Sequence, residues 1–240
     1  AKLRDEYTVR WEDQEEDLGR SRFGELFSHI RMIYRKAKPQ GTLLKEFHAH
    51  VTEAAQPQAF MDNVLVPMAK AYTVICDADY SSKELAEPIN NHLSWLNRLE
   101  FKDWVPPALA FHIRHGNEPK ALLEFFKVLE RLAYSMLVRK IGVYDRIDRF
   151  SKLTEAVEKN EDLALDHSPL QLSPVEQGST YRALNGSLYE THSSKALGVL
   201  LLRLDALLSV GSASYQHDVV SVEHGMPQQP ATGSQWREWV

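Results

Sequence analysis

The stretch Glu118-Pro119-Lys120-Ala121-Leu122-Leu123-Glu124-Phe125-Phe126-Lys127-Val128-Leu129-Glu130-Arg131-Leu132-Ala133-Tyr134-Ser135-Met136-Leu137 decides the fold. Leu122, Leu123, Phe126, Leu129, Leu132, Met136 and Leu137 recur every three or four residues, the spacing that lines one face of an α-helix. Pro119 suits a first helical turn, where its missing N–H costs nothing. The apolar stripe is broad, which predicts a helix at the centre of a bundle. Arg139 and Lys140 follow at the negative end of the helix dipole, and Gly142 reads as the C-cap.

The same period continues outward on both sides. Residues 5–17 are acidic, broken by Tyr7, Val9 and Trp11, and read as a frayed first helix or a lead-in. Ser21 reads as the N-cap of a helix carrying Phe23, Leu26, Phe27, Ile30 and Tyr34, which ends in Arg35-Lys36-Ala37-Lys38 before Pro39. Thr42 is expected to cap a helix through Ala55, with Leu43, Leu44, Phe47 and Val51 on one face. Pro57 opens another, with Phe60, Val64, Leu65, Met68, Tyr72 and Ile75 buried and a kink expected at Pro67. Ser82 is expected to open a helix to about Leu99, and Pro106-Pro107 one more.

Downstream, Arg146, Arg149 and Lys152 line a helix that runs to about Lys159 and read as a solvated basic face. Residues 160–178 hold two Ser-Pro steps and few large apolar residues, and read as a loop. Two helices follow, 179–189 and 193–209, the second with Leu197, Leu200, Leu201, Leu204, Leu207 and Leu208 on one stripe. Around Val219, Val220 and Val222 the β-branched residues favour a strand, which Pro227 stops. The expectation is an all-α, multi-helix array of about nine helices with a short extended C-terminal segment. Residues 1–160 would be the bundle, 161–178 a linker, and 179–240 a helical portion leading into the strand.

Composition narrows the function classes. The chain has 240 residues, a hydrophobic fraction of 43% and a formal net charge of −5. That charge excludes a surface coated in positive charge for DNA, though not one local basic face. The apolar residues are dispersed, with no membrane-spanning run and no signal peptide at the start, so no membrane partner is expected. A single cysteine, Cys76, fits a cytoplasmic protein and reads as a buried, inert thiol. His48 and His50 are two apart and point in different directions on a helix; His112 and His115 share a face but lack a nearby ligand partner in sequence. There is no Gly-rich phosphate cradle, so no ATP or GTP hydrolysis is expected.

The chemistry-bearing stretch is Val222-Glu223-His224-Gly225-Met226-Pro227-Gln228, followed by Trp236-Arg237-Glu238-Trp239. A carboxylate beside an imidazole at a strand end is the pattern that holds a hard cation and deprotonates a water, and equally that of an edge strand with a surface histidine. The stretch resembles the start of the DUF1524 domain in GmrSD-type modification-dependent restriction endonucleases, where it follows a DUF262 domain. The helices before it are similar to the helical segments after the DUF262 core.

The resemblance implies a His-Me finger, or HNH-type, nuclease. His224 would be the general base, Glu223 a metal ligand and Pro227 the residue shaping the turn. A divalent metal, Mg²⁺ or Mn²⁺, would serve the parent enzyme, with none held tightly by this chain. The parent's partner would be DNA, with Arg35, Lys36, Lys38, Arg139 and Lys140 as candidate phosphate contacts; helix-end capping accounts for these cations without a partner. Gly225 stands where the family usually has an aliphatic residue, and the family's second strand and following helix do not appear before Val240. Since the chain begins without methionine and stops soon after the motif, the expectation is a connector piece of a longer, phage-defence nuclease. The alternative is a non-catalytic helical interaction module that forms a homo-oligomer.

Overall fold

The computed structural model describes residues 2–209 and 231–239. The fold is all-α, a multi-helix array with no strand among the described residues. The stretch expected to be extended, around 218–228, lies outside them. Two compact units are present, residues 1–186 and 187–240.

In the first unit, α1 (Lys2–Leu18) and α2 (Arg20–Arg35) are joined at Gly19, whose φ of 74° lies in the region that glycine adopts without penalty. The acidic opening is thus a full helix, and Gly19 rather than Ser21 stands at the start of α2. Thr42 caps α3 (Leu43–His50) as expected, its side chain accepting from the Lys45 N–H at 3.4 Å. A short 3₁₀ turn, Thr52–Ala55, leads to α4 (Pro57–Phe60). The chain then widens into a π-helical turn at Met61–Leu65 before α5 (Val66–Asp77). Pro67 explains that turn: it cannot donate to the Asn63 carbonyl, and its ring would collide with it in regular α geometry.

The next helix, α6 (Ala86–Asn97), begins four residues later than Ser82. Pro88 is the reason. In a helix begun at Ser82 it would fall in the interior, whereas from Ala86 it falls in the first turn, where no N–H is needed. Then come α7 (Val105–His115), α8 (Pro119–Val138) and α9 (Val143–Glu158). As its broad stripe predicts, α8 is central, packing on α6, α7 and α10 (Pro174–Leu184). The largest fully buried side chains are Trp104, Phe126 and Phe150.

Further boundaries differ from expectation: α3 ends at His50, short of Ala55. The left-handed residue that ends α8 is Lys140 (φ 55°), with Ile141 N–H donating to Met136 O and Lys140 N–H to Leu137 O, while Gly142 precedes α9 as its N-cap. That pair of bonds is a Schellman closure built without glycine. And α10 starts at Pro174, not near Ser179, because Ser173 and Glu176 form a reciprocal capping box. The second unit contains α11 (Leu188–Thr191) packed on α12 (Ser194–Leu208), and α13 (Trp236–Trp239). Leu197 of α12 is buried, whereas Leu204, Leu207 and Leu208 are exposed.

Candidate functional site

The sequence-predicted motif residues Glu223, His224, Gly225 and Pro227 lie outside the described residues. The five candidate phosphate contacts are described, and four of them are engaged within the chain. Arg35 Nη1 lies 2.5 Å from Glu46 Oε1, with both side chains nearly buried. Lys36 pairs with Glu158 at 2.7 Å. Lys38 stands over the Tyr144 ring, 3.6 Å from its centroid. Arg139 donates to Ser135 Oγ at 3.0 Å and lies 3.4 Å from Glu176. Lys140 is exposed, and no described carboxylate pairs with it.

Glu46 anchors the turn after α2. Its Oε1 accepts from the Gln40 and Gly41 N–H groups at 2.6 and 2.7 Å as well as from Arg35, and Arg31 stands 3.7 Å from Oε2. Burial pushes this carboxyl up, but the two N–H donors and the two guanidiniums outweigh it and hold the pKa below its ordinary value.

Among the concave features of the first unit, three have contrasting linings. One is a groove of about 530 Å³ at α8, α9 and the start of α10, where Arg139, Arg149, Lys152 and Lys159 alternate with Asp145, Asp148, Glu155, Glu161 and Glu176. Its charges neutralise one another, so it presents no excess field to a polyanion. The second is an open apolar groove of about 760 Å³ between α1, α2, α3 and α4, lined by Trp11, Phe23, Phe27, Leu44, Phe47 and Phe60. The rings form one cluster, with Phe27 within 5.1 to 6.4 Å, centroid to centroid, of Trp11, Phe23, Phe47 and Phe60. The third is a smaller cavity of about 210 Å³ where α2, α7 and α9 meet, lined in part by His29, Arg31, Lys102 and Ser151.

Several titratable residues of these elements went unread in the sequence. His29 is buried, and burial followed by the charges of Lys102 and Arg31 brings its imidazole down to about 4. Glu130 on α8 is buried and meets His92 of α6 at 2.6 Å. The readable signal was position: His29 shares a helical stripe with Leu26 and Ile33, and Glu130 shares one with Phe126 and Ala133. A polar residue on an apolar stripe has a partner or a task. His115 meets Glu118 at 3.1 Å, and His112 is half-buried with its imidazole lowered by burial. Cys76 is half-buried rather than buried, and burial pushes its thiol up, which makes it a poor thiolate. Among the described residues no three His, Cys, Asp or Glu side chains gather as a metal cage, and no helix is long and apolar enough to cross a membrane.

Fold and sites define an all-α helical array with one amphiphilic cavity and one open aromatic groove. Compared with known protein families, curated proteins and solved structures, the chain matches none.

Proposed function

We propose that this chain is the helical connector of a GmrSD-type, modification-dependent restriction endonuclease of the DUF262/DUF1524 kind. The observation that carries the reading is the run Val222-Glu223-His224 with Pro227-Gln228, then Trp236-Arg237-Glu238-Trp239, placed behind a long helical array. Such an array suits a connector, because stiff, well-packed helices transmit a displacement at one end to the other. In the parent enzyme His224, neutral near pH 7, takes the proton from the attacking water. Glu223 would help hold Mg²⁺ or Mn²⁺, which would supply stabilisation of charge on the phosphate. Lys140 is the candidate phosphate contact that needs no internal bond broken; Arg35, Lys36, Lys38 and Arg139 would each give up a partner.

The test uses the complete gene product and modified plasmid DNA with Mg²⁺ or Mn²⁺. The expected result is cleavage that His224→Ala lowers by about a hundredfold to ten-thousandfold with an unchanged circular-dichroism spectrum. Equal cleavage by both proteins would overturn the assignment.

The apolar groove favours a second reading, a non-catalytic module whose partner is a second copy of this chain. The chain carries both halves of such a contact: an open aromatic groove, and the exposed Leu204, Leu207 and Leu208 on α12. On this reading the chain sediments as a dimer and Leu44→Glu, at the exposed groove rim, makes it a monomer. A wild-type chain that is monomeric throughout rules it out.

A further inference from the structure

The cavity where α2, α7 and α9 meet holds a buried imidazole with nothing to bond, and its reading does not depend on the nuclease assignment. At about 210 Å³ the cavity has room for a single ring, since an apolar cavity of about 150 Å³ already takes benzene. Met32, Pro106, Ile147 and Phe150 give it an apolar wall.

His29 stands in the opposite, polar part of the lining and is 9% exposed. The Tyr72 ring lies 5.4 Å from it, but the Tyr72 hydroxyl donates to Glu25 at 3.1 Å. Among the described residues the His29 imidazole has no hydrogen-bond partner. Burial, with the charges of Lys102 and Arg31, keeps it neutral down to about pH 4. A neutral imidazole carries one N–H donor and one bare nitrogen that accepts. Buried polar groups in native proteins nearly all have partners, because leaving one unmet is costly. A water meets that need poorly here, since it wants two to four polar contacts and the facing wall offers none.

The charged groups of the lining are committed elsewhere. Asp103 Oδ2 takes Arg146 Nε at 2.7 Å. Arg31 Nη1 stands 3.7 Å from Glu46 Oε2, and Lys102 donates to the Asn97 carbonyl at 2.9 Å. A charged ligand would have to compete with those groups for its counterion and would leave water to do so, which is expensive. A neutral ligand pays neither cost.

We propose that this cavity binds a neutral one-ring ligand with a single hydroxyl, phenolic in class, whose hydroxyl donates to the His29 imidazole and whose ring lies against Met32, Ile147 and Phe150. The hydroxyl supplies the one polar contact that the cavity lacks, and the ring covers the apolar wall.

Calorimetric titration of the chain at pH 7 with phenol tests this, with toluene and benzoate as comparisons of similar size. Saturable one-to-one binding of phenol is expected, with both comparisons about tenfold weaker, the worth of one hydrogen bond. His29→Leu should weaken phenol by a similar factor and leave toluene as it is, a split that loss of fold would not give. Ile147→Trp, which fills the cavity, should abolish binding of both with an unchanged circular-dichroism spectrum. The proposal falls if phenol does not bind at up to about 10 mM, a generous ceiling for so small a ligand. It falls equally if toluene or benzoate matches phenol on the wild-type chain, an outcome that needs no variant to fold. Undiminished phenol binding by folded His29→Leu or Ile147→Trp also overturns it.

Discussion

Arg149 reaches out of α9 to the backbone of Pro169, its Nε donating to that carbonyl at 2.5 Å. Its Nη2 donates to the Gln171 carbonyl at 2.5 Å and lies 3.5 Å from Glu176. One planar guanidinium thus holds the segment after α9 against the bundle, where Leu170 and Leu172 are buried. Arg149→Met should destabilise the first unit by about 2–3 kcal/mol, since hydrogen bonds to a charged group contribute about 1.5–3 kcal/mol and the carbonyls lose their donor. Urea unfolding measures that loss. Limited proteolysis should show new cutting between Glu161 and Ser173, and Arg149→Lys should not restore protection, because an ammonium lacks the fork that spans two carbonyls.

Glu130 and His92 tie α8 to α6. Glu130→Ala should cost about 2–3 kcal/mol, less than the roughly 3–5 kcal/mol of breaking a fully buried pair, because His92 keeps some access to water. Glu130→Gln, which retains an acceptor, should cost less. Chemical denaturation that ranks Gln below Ala would contradict a hydrogen-bonding role.

His29 makes stability depend on pH. Its imidazole titrates near 6.5 when unfolded and at about 4 in the fold, so between these values the unfolded chain binds more protons. Stability is therefore full above pH 6.5 and is lost as pH falls from there through about 4. Arg31 and Lys102 face the imidazole and keep their charge throughout; the Tyr72 ring, 5.4 Å away, stays neutral. His29→Leu should remove about 2 kcal/mol of the stability difference between pH 7 and pH 5. Urea unfolding of both proteins at the two pH values measures it, and parallel losses would show that other groups carry the dependence. His112, also lowered by burial, adds in the same direction in both proteins.

Lys140 sits in left-handed backbone at the end of α8. A residue with a Cβ is strained there, and glycine is not. Lys140→Gly should raise stability by up to about 1 kcal/mol by thermal or urea unfolding. On the nuclease reading the same change should weaken DNA binding by the complete protein, so that stability and binding move in opposite directions.

By itself the sequence determined that the chain is helical, and much of what α8 buries. Leu122, Phe126, Leu129, Leu132 and Met136 are buried along α8 because three-to-four spacing aligns side chains on one face, and that geometry needs no partner to be read. Thr42 and Pro119 mark helix starts for equally local reasons. Two further starts obey local rules as well: Pro88 falls in the first turn of α6, and Ser173 with Glu176 spells the capping box of α10. Only tertiary structure decided what the polar residues do. Arg146, Arg149 and Lys152 look alike on a helix face, yet Arg146 holds Asp103, Arg149 holds Pro169 and Gln171, and Lys152 keeps to its neighbour Asp148 at the surface. Arg31, Lys102 and Ser151 come to one cavity from three separate places in the chain. A helix's period is set by the backbone within four residues, whereas a charge finds its partner only once packed helices bring distant segments within hydrogen-bond reach.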